Sequence, residues 1–155
     1  MPLVKVVTHA RCAPEVMFDL ALNVDAHAAS LSGSGETATT SSGARQLGRG
    51  DEVTFRARHL GLVWRLTSRV SEYQRPHRFV DEQVRGPFAS MRHEHLFEAA
   101  ADGGTVMTDL MHVVAPLGVV GAVVGPAVLR PYLHRLLRER GAHLARSGEA
   151  AEGAP

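Results

Sequence analysis

From Asp51 onward hydrophobic and polar residues alternate along the chain. Val53, Phe55, Ala57 and His59 share one parity; Thr54, Arg56 and Arg58 take the other. After a turn at Leu60-Gly61-Leu62, Trp64, Leu66, Ser68 and Val70 oppose Arg65, Thr67, Arg69 and Ser71. Successive side chains on a strand point to opposite faces. The pattern therefore predicts an antiparallel sheet with an apolar inner face and an arginine-rich wet one. Pro76 ends the second of these strands. Residues 79–85, 89–99 and 105–114 carry the pattern on, with Asp102-Gly103-Gly104 as the last hairpin signal. Near the start, residues 3–9 are apolar and β-branched and predict a first strand.

The period changes in two places. Ala13-Pro14-Glu15 opens a helix with proline in its first turn, where the missing N–H costs nothing. It runs to about Leu22; Asn23 ends it, and Asp25 caps a second short helix to about Leu31. Residues 131–146 form a strong helix on which Leu133, Leu136, Leu137, Arg140 and Leu144 trace a stripe at helical spacing. Between sheet and helix, residues 117–129 are small and apolar. They read either as the start of that helix, kinked at Pro126 and Pro131, or as an apolar lid; their small side chains favour close packing. Residues 32–50 are rich in Gly, Ser and Thr, with a short exposed strand expected over 36–42. Residues 147–155 read as a frayed tail, leaving one domain over 1–146.

The expected fold class is α+β: a curved antiparallel sheet of about seven strands, in the order β-α-α-β6-α, wrapped around a long C-terminal helix. A strongly twisted sheet does not close around one helix, so an internal cavity between them is expected.

Composition narrows the function classes. The chain has 155 residues, 45% hydrophobic and 21% charged, with a formal net charge of +1. That supports one sizeable core and supplies no global field to attract nucleic acid. The arginines at 130–140 read as a solvated helix face rather than a phosphate or headgroup patch. Cys12 is the single cysteine, so neither an internal disulfide nor a cysteine metal motif can form, and a small buried or semi-exposed thiol is expected. The start of the chain lacks the pattern of a secretory signal, and the longest uncharged apolar run, 113–129, is short of a bilayer span. A cytoplasmic protein without stable membrane insertion, as a monomer or homodimer, is the expectation.

The chemistry concentrates in residues 76–97. Two strands joined at Gly86-Pro87 place Phe79, Asp81, Gln83 and Arg85 on one face, and His93, His95 and Phe97 on one face of the next. Charged groups on a core-facing surface are costly unless they pair or meet a polar ligand, so this row points to a cavity. The expected lining is apolar at Phe55, Trp64, Leu66, Phe79, Phe97, Met107, Met111, Leu133, Leu136 and Leu137. It is polar at His59, Ser68, Asp81, Gln83, Arg85, His93, His95 and Asp109. Asp81 and Asp109 can equally pair with Arg85 or a histidine and hold the strands in register. His93 and His95 with one of these acids could hold zinc or iron, but no longer His/Asp spacing supports this, and neither metal nor cofactor is expected. His9, His27, His77, His112, His134 and His143 show no constellation and read as surface or loop residues.

The stretches Phe79-Val-Asp-Glu-Gln-Val-Arg-Gly-Pro-Phe88, His93-Glu-His95, Gly104-Thr-Val-Met-Thr-Asp109 and Leu129-Arg-Pro-Tyr-Leu-His-Arg-Leu-Leu137 resemble the SRPBCC superfamily. This is the START-like, helix-grip group of polyketide cyclases, lipid-transfer and coenzyme-Q-binding proteins, and the resemblance is strongest to its small bacterial members. It covers residues 3–146, least over 32–50. It implies a cavity roofed by the C-terminal helix that holds a hydrophobic or amphipathic small molecule, and it carries over no catalytic residue. Three functions follow in order of expectation. The first is binding or transport of a lipid, polyketide or isoprenoid-like molecule. The second is an aromatase/cyclase or dehydratase, with His93 or His95 as general base and Asp81 or Asp109 orienting it. The third is a protein-interaction module without ligand.

Overall fold

The computed structural model describes residues 3–31, 33, 35–59 and 61–154, and the backbone alone at 122–124. Strand β1 (Val4–Ala10) leads into helices α1 (Pro14–Ala21) and α2 (Val24–Ser30). Then come β2 (Thr37–Thr40), β3 (Glu52–His59), β4 (Leu62–Gln74), β5 (Arg78–Arg85), β6 (Ser90–Ala99) and β7 (Thr105–Val114). Helix α3 (Gly118–Glu152) closes the chain. The seven strands form one antiparallel sheet in the order β1-β7-β6-β5-β4-β3-β2. This is the α+β helix-grip arrangement expected from the alternation.

Two details of the helices differ from the sequence reading. Asn23 rather than Asp25 caps α2: its side-chain oxygen accepts from the Ala26 N–H at 2.9 Å. α3 runs without interruption through Pro126 and Pro131 and continues past Arg146 to Glu152. Its last turns are held by backbone donors, Arg11 N–H to Glu149 and Ala13 N–H to Glu152. The first part of the helix is therefore not a separate lid. Nor is it close-packed throughout, since Val119, Val120 and Val128 are exposed. Leu60, Ser32, Ser34 and Pro155, which fall in the expected turn, loop and tail, lie outside the described residues.

α3 can approach β1 and the segment that follows it because two of its glycines face them. A Cβ at Gly141 would lie 2.2 Å from Thr8 Oγ1, and one at Gly148 would lie 2.4 Å from Cys12 Sγ. Cys12 is buried as expected. Among the described residues no helix is long and apolar enough to cross a membrane.

The concave face of the sheet is divided. At one end α1 fills it: Phe18 meets Tyr73, Phe79 and Phe97 edge-on, with centroids 5.3, 5.5 and 5.3 Å away. Met17, Met107 and Leu144 complete this dry core. At the other end α3 stands off from the sheet. Leu133 and Leu137 pack there with Val4, Val6 and Met111, and a cavity remains beside them.

Two bulges set which strand residues face inward. Val70 pairs with Asp81 but Glu72 with Val80, so Ser71 is an extra residue in β4. Ser68 pairs with Gln83 but Thr67 with Arg85, so Val84 is an extra residue in β5. An extra residue reverses the phase of alternation beyond it. Arg85 thus lies opposite Thr67, on the outer face, and is exposed.

Candidate functional site

The cavity has a volume of about 210 Å³. Of the residues expected to line it, Phe55, His59, Trp64, Leu66, Asp81, His93, Met111, Leu133, Leu136 and Leu137 do. The others lie elsewhere. Phe79, Phe97 and Met107 belong to the dry core, because Phe18 occupies the space in front of them. Ser68 is buried in the ladder between Val53 and Gln83. Gln83 turns to the β5–β6 connection, where its amide donates to Phe88 O at 2.9 Å and accepts from Phe88 N–H at 3.3 Å. Arg85 is on the outer surface. His95 and Asp109 lie under the cavity floor rather than on it, each with a side chain only 1% exposed.

The floor is built by the register of three strands. Asp81 of β5 is paired with His93 of β6, and His95 of β6 with Asp109 of β7. The hydrogen bonds run along the diagonals of this grid, within reach of side chains two positions out of register. His95 Nε2–H donates to Asp81 Oδ1 at 2.8 Å, and His93 Nε2–H donates to Asp109 Oδ1 at 2.9 Å. His95 Nδ1 also lies 2.9 Å from Asp109 Oδ1. Behind them the His95 ring stacks on Phe79 at 4.1 Å, and its other neighbour is His93 at 3.8 Å. Arg140 reaches down from α3, its Nη1 3.5 Å from Asp109 Oδ1 and its Nη2–H donating to Ala21 O at 3.3 Å.

Burial opposes every charge in this group, and partners decide which survive. Burial pushes the Asp109 carboxyl up, but its contacts with His93 and His95 hold it well below the usual carboxylate range. Asp81 behaves alike: burial pushes it up, but the His95 bond together with the positive charges around it brings it to about 2. Burial would also keep His95 neutral, yet its bonds to Asp109 and Asp81 raise it above an ordinary histidine. His93 goes the other way, pushed down to about 4 by burial and by the charge on His95. While His95 holds its proton, two carboxylates thus face one imidazolium and one guanidinium, with His93 neutral. The charges balance, so the group can stay buried.

Sequence reasoning missed part of the wall. His27, read as a surface residue, lies over the cavity from α2, stacked on Phe55 at 4.1 Å, with Nε2 3.1 Å from Glu36 Oε1. Burial depresses its basicity despite Glu36. Tyr132 of α3 bonds His59 Nδ1, while Trp64 Nε1–H donates to His59 O at 2.9 Å. Leu31, Ala57, Pro87, Phe88, Met91 and Leu129 complete the lining. Arg140 could have been found, being a charge on an otherwise apolar helical stripe, the same signal that marks Asp81. His27 and Glu36 carry no such signal, since only the fold brings α2 and the β2 end of the sheet to the site.

Asp81, His93 and His95 place ligand atoms within 4.8 Å of one another, a spacing a metal ion could use. The chemistry of the set fits a cation poorly. His95 needs its proton to balance two carboxylates, and binding a metal through it would release that proton.

No curated protein sequence matches the chain. Among solved structures, the Zhui aromatase/cyclase from a Streptomyces species is 14% identical, with a TM-score of 0.79 over 97% of this chain and 95% of that one. A protein from Thermus thermophilus is 16% identical, with a TM-score of 0.74 over 93% and 97%. A START superfamily protein from Mycobacterium smegmatis is 14% identical, with a TM-score of 0.63 over 96% and 94%. At these identities the likeness is one of fold. Sequence membership rests on residues 1–149, which match the family described as polyketide cyclase / dehydrase and lipid transport. With its seven-stranded sheet gripping α3 over a cavity, the chain belongs to that family, inside the START-like group its sequence resembles.

Proposed function

We propose that this protein binds a hydrophobic or amphipathic small molecule, of lipid, polyketide or isoprenoid type, in the cavity between the sheet and α3. One observation carries the reading: an apolar cavity over a floor whose charged groups pair with one another. Such a site can accept an apolar ligand without disturbing a proton. The test is native purification followed by mass spectrometry of whatever stays bound, on the natural chain and on Leu133→Trp, which fills the cavity. A co-purifying apolar molecule lost in Leu133→Trp is the expected result. A natural chain that carries nothing, and whose Tm responds to no member of a lipid and polyphenol panel, would sink the reading.

A second reading is catalysis of the aromatase/cyclase kind, favoured by the fold likeness to the Zhui enzyme and by His93 at the cavity wall. A general base works best with a pKa near the working pH. His93, at about 4, and Asp81, at about 2, are weak acceptors at neutral pH, which ranks carriage above catalysis. Turnover of a poly-β-keto thioester that disappears in His93→Ala would reverse that ranking.

A further inference from the structure

We infer that the cavity selects aromatic ligands of one or two rings that donate a hydrogen bond to Asp81, and that it rejects carboxylates. The inference rests on the small-molecule reading above and specifies the ligand's size and polarity.

Size comes first. A cavity of about 150 Å³ is known to hold benzene. The volume here, about 210 Å³, is larger by a fraction rather than a multiple, enough for one ring with substituents or two fused rings. Phe55, Trp64 and Phe88 give it flat aromatic walls suited to such rings.

Polarity follows from which charges reach the cavity. The cluster holds both signs, but its cations are turned away. His95 is 1% exposed at its side chain and sits behind Asp81. Arg140 lines the wall, yet its Nε and Nη1 are buried, Nη1 lying 3.5 Å from Asp109 Oδ1, and its Nη2 donates to the Ala21 carbonyl. The Asp81 side chain is 19% exposed and borders the cavity. One of its oxygens takes the His95 proton, and among the described residues the other accepts from nothing. Glu36, also on the wall, adds a second acidic side chain. A ligand therefore meets a hydrogen-bond acceptor of negative charge set in apolar surroundings. A hydroxyl donor gains a charge-assisted bond there, whereas a carboxylate meets like charge in a low-dielectric pocket.

Three probes with the same ring system separate these effects: β-naphthol, its methyl ether and β-naphthoate, titrated calorimetrically at neutral pH against the natural chain. Trp64 is the single tryptophan and lines the cavity, so quenching of its emission locates the binding. We expect β-naphthol to bind about tenfold or more tighter than the ether, the size of a hydrogen bond to a charged acceptor. We expect naphthoate to bind weakest, and Asp81→Asn to narrow the gap between naphthol and naphthoate. Naphthoate binding as well as naphthol, or ether and naphthol binding alike, overturns this inference while leaving the small-molecule reading intact. Failure of all three to quench Trp64 overturns both.

Discussion

Arg92 and Glu94 point to the outer face of β6, while His93 and His95, between and beside them, point inward. Both faces carry a network of acids and bases. Outside, Arg92 bridges Glu72 at 3.2 Å and Glu94 at 3.1 Å, and Arg78 bridges Glu94 at 2.7 Å and also pairs with Glu72. Inside, the same strands hold Asp81, His93 and His95 with Asp109 and Arg140. The inner contacts are no tighter than the outer ones, but the surroundings differ. Water can replace any partner in the outer network, so each pair contributes little. Inside, His93, His95, Asp109 and Arg140 are cut off from water, so a partner lost among them is not replaced and a charge is left stranded. The inner network therefore constrains protonation and position, and this suits it to face a ligand.

The largest expected effect tests that contrast directly. Asp109→Ala strands the Arg140 charge, leaves His95 with Asp81 alone, and should cost about 3–5 kcal/mol in urea denaturation. A loss no greater than that of an outer-face substitution would erase the distinction between the faces. Next is pH. His93 sits at about 4 when folded, against 6.5 when free. The unfolded chain then binds more protons between those values, so stability falls as pH drops from 6.5 towards 4. In His93→Gln this loss, a few kcal/mol at most, should disappear from the denaturation profile. His95 has the opposite sign: its raised pKa supplies stability below 6.5 that fades as pH rises through its folded value. A variant profile parallel to that of the natural chain through the acid window would refute the assignment of His93 as the neutral member. The smallest effect is outside. Arg92→Ala should cost less than about 1 kcal/mol, and high salt should abolish the difference. A larger, salt-resistant loss would mean that the outer network is more than a solvated face.

How far the site was legible depends on how local each signal is. Asp81, His93 and Asp109 stand out because strand alternation places them among apolar neighbours, and that needs only adjacent residues. Arg85 belongs to the same parity as Asp81, yet it ends outside because Val84 is an extra residue against β4. Whether a bulge forms depends on the partner strand as well as on the segment itself. Alternation places Phe79 and Phe97 inward, where both are buried. Whether an inward residue meets a cavity or a filled core was decided by Phe18, far away in the chain on α1.

By itself the sequence determined the seven strands, the long C-terminal helix, and the inward direction of most of their apolar side chains. These follow from periods of two and 3.6 residues, which short stretches of chain express through their own backbone geometry. Only the tertiary structure decided where the concave face is full and where it is empty, that His95 is buried behind Asp81, and that His27, Glu36, Tyr132 and Arg140 meet above the floor. Those outcomes depend on long-range packing of α1, α2 and α3 against a sheet bent by its bulges. A pattern of neighbours along the chain does not contain that information.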